Sequence, residues 1–102
     1  MKIWKYQMLE RDCFLELPRG ARILSCQLQN KILCLWCLVD ENQAVLEDRH
    51  FVAVGTGYDL PYPAVLMRFI TTVPLDGIVH HIFEVHEIAA GHTHTLTAAL
   101  TA

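Results

Sequence analysis

The chain has 102 residues, 53% of them hydrophobic and 19% charged, and its eight Lys and Arg against eleven Asp and Glu give a formal net charge of −3. That length suits one domain that buries roughly two thirds of its unfolded surface without staples. An acidic chain with cations scattered from Lys2 to Arg68 makes a poor phosphate-backbone binder, so nucleic acid is not an expected partner.

No apolar run approaches the roughly 18 to 20 residues that span a bilayer. The longest, Ile32 to Val39, holds eight. The start, MKIWKYQMLERD, lacks the apolar core of a signal peptide. These features predict a soluble protein of a reducing cytoplasm, with no membrane association. Cys13, Cys26, Cys34 and Cys37 fit that reading, since all sit among apolar neighbours where free thiols behave as small hydrophobes.

Short segments rich in β-branched and aromatic residues, punctuated by turn residues about every ten positions, predict an all-β domain. A first strand runs from Lys2 to Leu9, with Trp4, Tyr6 and Met8 on one face. A short piece from Cys13 to Leu17 leads into the turn Pro18-Arg19-Gly20. From Ala21 to Gln29, alternation predicts Leu24, Cys26 and Leu28 on one face and Ser25, Gln27 and Gln29 on the other. Asn30-Lys31 reads as a hairpin turn into Ile32 to Val39. That strand is apolar on both faces and is predicted to be central or to lie at a subunit interface.

Asp40 to Arg49 reads as a polar loop and His50 to Val54 as a strand. Gly55-Thr56-Gly57 then breaks the strand. Lacking the third glycine and following helix of a dinucleotide fingerprint, it is a bend rather than a phosphate cradle. Tyr58 to Pro63 forms a Pro-bearing loop, and strands from Val65 to Val73 and Ile78 to Ile88 join through Pro74-Leu75-Asp76-Gly77. Residues 1–88 make up the predicted single β domain. Residues 89–102, Thr-rich and without a charged side chain, form a tail that adds an edge strand near Thr93 to Leu96, packs on another subunit or stays disordered.

Cys34-Leu35-Trp36-Cys37 matches C-x-x-C formally, but on a strand the two thiols point to opposite faces with Cα atoms about 10 Å apart. A disulfide needs less than about 7 Å, so buried thiols are expected. Alternation also puts His80, Glu84 and His86 on one face of the last strand. With His92 or His94 they form a candidate zinc or nickel set of N and O ligands. No H-E-x-x-H or similar signature supports that set, and the alternative is a polar face plus a tail. His81, alternating with Val79, Phe83 and Val85, reads as a partly buried histidine with one ring nitrogen hydrogen-bonded. No nucleophile sits on a G-x-S-x-G elbow, so hydrolase chemistry is not expected.

The succession Lys2-Ile3-Trp4-Lys5-Tyr6, Glu16-Leu17-Pro18-Arg19-Gly20-Ala21-Arg22-Ile23-Leu24-Ser25, Leu35-Trp36 with Leu38-Val39-Asp40, Gly55-Thr56-Gly57 and His81-Ile82-Phe83-Glu84 resembles a family of small uncharacterised proteins widespread in bacteriophages and prophages. The resemblance spans about Met1 to Glu87 and transfers no catalytic residue. It implies a viral accessory protein of the host cytoplasm.

The resulting expectation is a compact β-sandwich or β-roll of six or seven mainly antiparallel strands that self-associates. Its expected role is that of a non-catalytic binding module without cofactor, which blocks a host protein or sequesters a small host signalling molecule. Trp4, Tyr6, Trp36, Tyr58, Asp59 and Tyr62 are the candidate contact residues, with Tyr58, Asp59 and Tyr62 expected to be the most exposed. A metal-binding protein or metal-dependent enzyme using the C-terminal histidines, and a virion structural component, are the alternatives.

Overall fold

The computed structural model describes residues 1–86, and the tail expectations for 89–102, with His92 and His94, lie outside them. Seven strands are formed there: β1 (Lys2–Met8), β2 (Asp12–Pro18), β3 (Arg22–Gln29), β4 (Ile32–Val39), β5 (Leu46–Gly55), β6 (Met67–Leu75) and β7 (Ile78–Val85). They make two antiparallel sheets, one ordered β1-β4-β3 and the other β2-β5-β7-β6. The architecture is therefore all-β, as the strand spacing predicts.

Alternation explains how the sheets close on each other. Met8, Cys26, Leu33, Leu35, Cys37 and Val39 of the first sheet meet Leu17, Phe51, Val73 and Ile82 of the second in one buried core. Period-two patterning puts such residues on one face, and burying that face is the main driving force, about 25 cal/mol per Å² of apolar surface. β4 is the central strand of its sheet, consistent with its two apolar faces. Its outward-facing Cys34 is 1% exposed, and a bond from Lys5 Nζ on β1 to Gln29 Oε1 on β3 (2.7 Å) spans β4 between them. The flanking strands' long side chains thus cover part of that outer face.

Both hairpin turns behave as their residues require. Asn30 and Lys31 have φ of 52° and 66°, and Asp76 and Gly77 have 53° and 77°. Two consecutive positive φ values are the mark of the type I′ turn that matches strand twist. Pro74 lies on β6, an edge strand, where a missing N–H interrupts no ladder.

The outer face of the second sheet is covered as well. The segment between β5 and β6 turns at Gly55-Thr56-Gly57, where Tyr58 N–H donates to Gly55 O (3.1 Å) and Gly57 has φ 92°. It then crosses the sheet, and Tyr62 and Leu66 bury Val52, Val54 and Val85 in a second apolar cluster. A 3-10 turn, Ala64–Leu66, leads into β6.

Several boundaries move from their sequence-based positions. β5 begins at Leu46, inside the predicted polar loop, because Leu46 to Asp48 pair with β2. The predicted strand from Val65 starts at Met67 after the 3-10 turn, and β7 runs over Ile78–Val85, the predicted positions 87 and 88 lying outside the described residues. Leu24 does not join Cys26 and Leu28 in the core. The register between β3 and β4 shifts at Ile23/Ser25, and Leu24 is left 43% exposed. An extra residue in one strand breaks alternation locally, and no composition rule reveals it.

Candidate functional site

The two sheets are joined along one seam by the proximity of β3 and β6, an edge strand from each. An open cleft of about 590 Å³ lies there, lined by Ala21 to Ser25 and Gln27 from β3 and its approach, Arg68 to Thr71 from β6, and Arg49 and Glu84 from β5 and β7. Its size falls within the range of small-molecule sites. Both register shifts in the two sheets occur in its walls, one at Ile23/Ser25 and the other at Phe69/Thr71. Bulges re-aim side chains, interrupt pairing and recur beside binding sites.

Charge is concentrated in the same place. Arg22, Arg49 and Arg68 are three of the eight Lys and Arg of a net-acidic chain. Arg49 is committed to structure: Nε donates to Glu84 Oε2 (2.6 Å), Nη2 donates to Glu84 Oε1 (2.8 Å), and Nη1 donates to the Ala21 carbonyl. The carboxylate beside it raises the Arg49 pKa further, so the guanidinium stays charged. Arg22 and Arg68 are exposed, and among the described residues neither has a carboxylate at ion-pair distance. Ser25, Gln27 and Thr71 add polar groups, and Ile23, Leu24 and Ile70 add apolar wall.

A second polar constellation lies on the outer face of the second sheet. Asp12 on β2 accepts from His50 Nε2 through Oδ1 and from the Tyr62 hydroxyl through Oδ2, each at 2.5 Å. Phe14 stacks on the His50 ring at 4.3 Å, and Tyr62 meets it edge-on at 5.0 Å. His50 is buried and its Nε2 is taken up by Asp12, so the group anchors the crossing segment. Burial, then the bond to Asp12, pushes the Tyr62 hydroxyl up to about 12.

The residues singled out from sequence are dispersed. Trp4 and Tyr6 lie on β1 and Trp36 on the opposite face of β4, with Trp4 the most exposed of the three. Tyr58 and Asp59 are exposed as expected, but Tyr62 is 9% exposed because its ring covers Val52 and Val54 and its hydroxyl binds Asp12. His80 and Glu84 share the inner face of β7, in keeping with alternation. Glu84 is bound by Arg49, while His80 is fully buried, with Nδ1 bonded to Ile78 O at 3.0 Å. Among the described residues the Nε2 atoms of His80 and His86 are buried without a partner. Among the described residues no group of three or more His, Cys, Asp or Glu is placed to hold a metal. His81 is half-buried between the hydroxyls of Thr56 (2.7 Å) and Thr72 (2.9 Å), so both ring nitrogens are engaged rather than one.

Cys34 and Cys37 occupy opposite faces of β4, as expected for a strand, and all four cysteines are free. Burial pushes Cys26 up to about 12 and Cys37 to about 11. The arginine cleft itself is not anticipated by sequence analysis. Its members are distributed over four strands, and no local spacing signals that β3 and β6 adjoin.

No helix among the described residues is long and apolar enough to cross a membrane. No curated protein and no solved structure matches the chain. A family model does match, over residues 1–92, and by that span the chain belongs to DUF7352, a domain of unknown function.

Proposed function

We propose that this protein is a non-catalytic binding module that holds a small anionic molecule in the cleft between β3 and β6. The observation that carries this reading is the meeting of two bulged strand edges around Arg22 and Arg68, in a chain that is otherwise acidic. The same bulges favour a small molecule over an added peptide strand, because they interrupt the straight edge that strand addition needs. The only carboxylate in the described lining, Glu84, is bound to Arg49, which favours binding over turnover. In the bacteriophage setting implied by the sequence resemblance, such a module works in the host cytoplasm by withdrawing a host signalling molecule through stoichiometric capture.

Self-association belongs to the same proposal. Its support is the exposed apolar side chains of the edge strand β1, Ile3 at 60% on one face and Trp4 at 40% on the other. Light scattering that returned a monomer at micromolar concentration would remove it.

Native mass spectrometry of the untagged full chain tests the main reading, since one spectrum reports subunit number and retained adducts. An anionic organic adduct that disappears in Arg68→Ala supports capture. Conversion of that molecule to a product during incubation would contradict it. A zinc or nickel adduct would favour the histidine alternative, whose specific support is that the buried Nε2 atoms of His80 and His86 have no partner among the described residues.

A further inference from the structure

We infer, on the basis of the β3–β6 cleft as a ligand site, that the ligand class is an organic phosphate monoester whose phosphoryl group is held between Arg22 and Arg68. Among the described residues three guanidiniums and one carboxylate line the cleft, which leaves two net positive charges. A phosphate monoester carries about −1.5 to −2 at neutral pH, so one such group balances the excess. Both cations of the cleft that lack an ion-pair partner among the described residues are arginines, whose planar forks bind phosphate oxygens in pairs, and they stand on different strands, Arg22 on β3 and Arg68 on β6. A group with three terminal oxygens can serve two such forks at once. A carboxylate, with two oxygens and one charge, satisfies one.

The bulges supply further donors. Leu24 and Ile70 are skipped in the ladder registers, so their backbone groups are not committed to neighbouring strands. The hydroxyls of Ser25 and Thr71 flank these two positions in sequence and line the same cleft. The volume of about 590 Å³ far exceeds what an oxyanion fills, and the apolar side chains of Ile23, Leu24 and Ile70 offer a surface for an organic body. A polyanion is disfavoured, because beyond this cleft the chain has more acids than bases.

Calorimetry on the full chain at low salt tests the assignment, with AMP and pyrophosphate as phosphate probes, adenosine as the uncharged analogue and succinate as a carboxylate dianion. Expected is AMP binding at least tenfold tighter than adenosine or succinate, weakened tenfold or more by Arg22→Ala and by Arg68→Ala. Arg68→Lys should restore little, because a lysine lacks the fork, and Lys31→Ala should change nothing. Circular dichroism confirms that each variant is folded. Binding of succinate but of neither phosphate would overturn the phosphate assignment and leave the anion cleft standing. Failure of all the anions would overturn both. AMP binding insensitive to Arg22→Ala and Arg68→Ala would place the phosphate elsewhere and overturn this inference.

Discussion

Arg49 reaches diagonally from β5 to Glu84 on β7, whose directly opposed residue is Phe51, and closes a two-bond ion pair at the base of the cleft. Through the Ala21 carbonyl the same guanidinium reaches the start of the other sheet. One side chain therefore ties the two layers together. The side chains are 17% and 6% exposed, so the charges are largely shielded from water. Removing one partner of a buried pair typically costs about 3 to 5 kcal/mol because the other charge is stranded. Glu84→Gln is expected to lower stability by about 3 kcal/mol in urea unfolding, and the double change Arg49→Met with Glu84→Leu to recover most of it.

Asp12 fastens the segment between β5 and β6 through Tyr62, and its test is a pair of substitutions. Tyr62→Phe keeps the ring over Val52 and Val54 and loses one hydrogen bond, for an expected cost of about 1 kcal/mol. Asp12→Ala strands both the Tyr62 hydroxyl and His50 Nε2 and is expected to cost more, about 2 to 3 kcal/mol. Equal losses in chemical denaturation would refute the shared-acceptor arrangement.

Tyr62 also sets an alkaline limit. Its folded pKa of about 12 lies above the ordinary tyrosine value of 10, so the folded state favours the neutral phenol. That contribution is complete below about pH 10 and is lost as pH rises from 10 towards 12. It is on the order of 1 kcal/mol, since the Asp12 side chain is 48% exposed and partly screened. Tyr62→Phe should flatten the stability profile in that window.

The thiols give a chemical check on the fold. Cys26, Cys34 and Cys37 are at most 1% exposed, and burial holds Cys26 and Cys37 far from thiolate formation at neutral pH. In the native protein at about pH 8, iodoacetamide should modify at most Cys13, slowly, because burial raises that thiol as well. All four should react once the chain is unfolded. Rapid native labelling of Cys37 would contradict its place in the core.

The hairpin turns predict substitutions of opposite sign. Lys31 holds φ 66°, a conformation that costs a side-chain-bearing residue about 1 kcal/mol or more, so Lys31→Gly should raise stability by about 0.5 to 1 kcal/mol. Gly77 holds φ 77° with nothing within 4 Å of the point a Cβ would occupy, so Gly77→Ala should cost about 1 kcal/mol through backbone strain alone. Thermal melts of the two variants decide this.

Strand identity and the two hairpins follow from the sequence itself, because period-two alternation and Asp-Gly or Asn-Lys turns are local signals. Which face turns inward does not, since β4 is apolar on both faces and β7 buries His80 and Glu84 while Val79 is left exposed. The alternation that places His80 beside Glu84 on one face is equally local. It does not say that Glu84 will be taken by Arg49, 35 positions away, or that Tyr62 will leave solvent to bind Asp12, 50 positions away. Only the tertiary structure decided which edge strands adjoin. The bulges at Leu24 and Ile70, each a one-residue departure from alternation, are settled by packing between sheets rather than by composition. The arginine cleft is a product of both: its residues are written singly along the chain, and long-range pairing of β5 with β7 and the meeting of β3 with β6 gather them into one place.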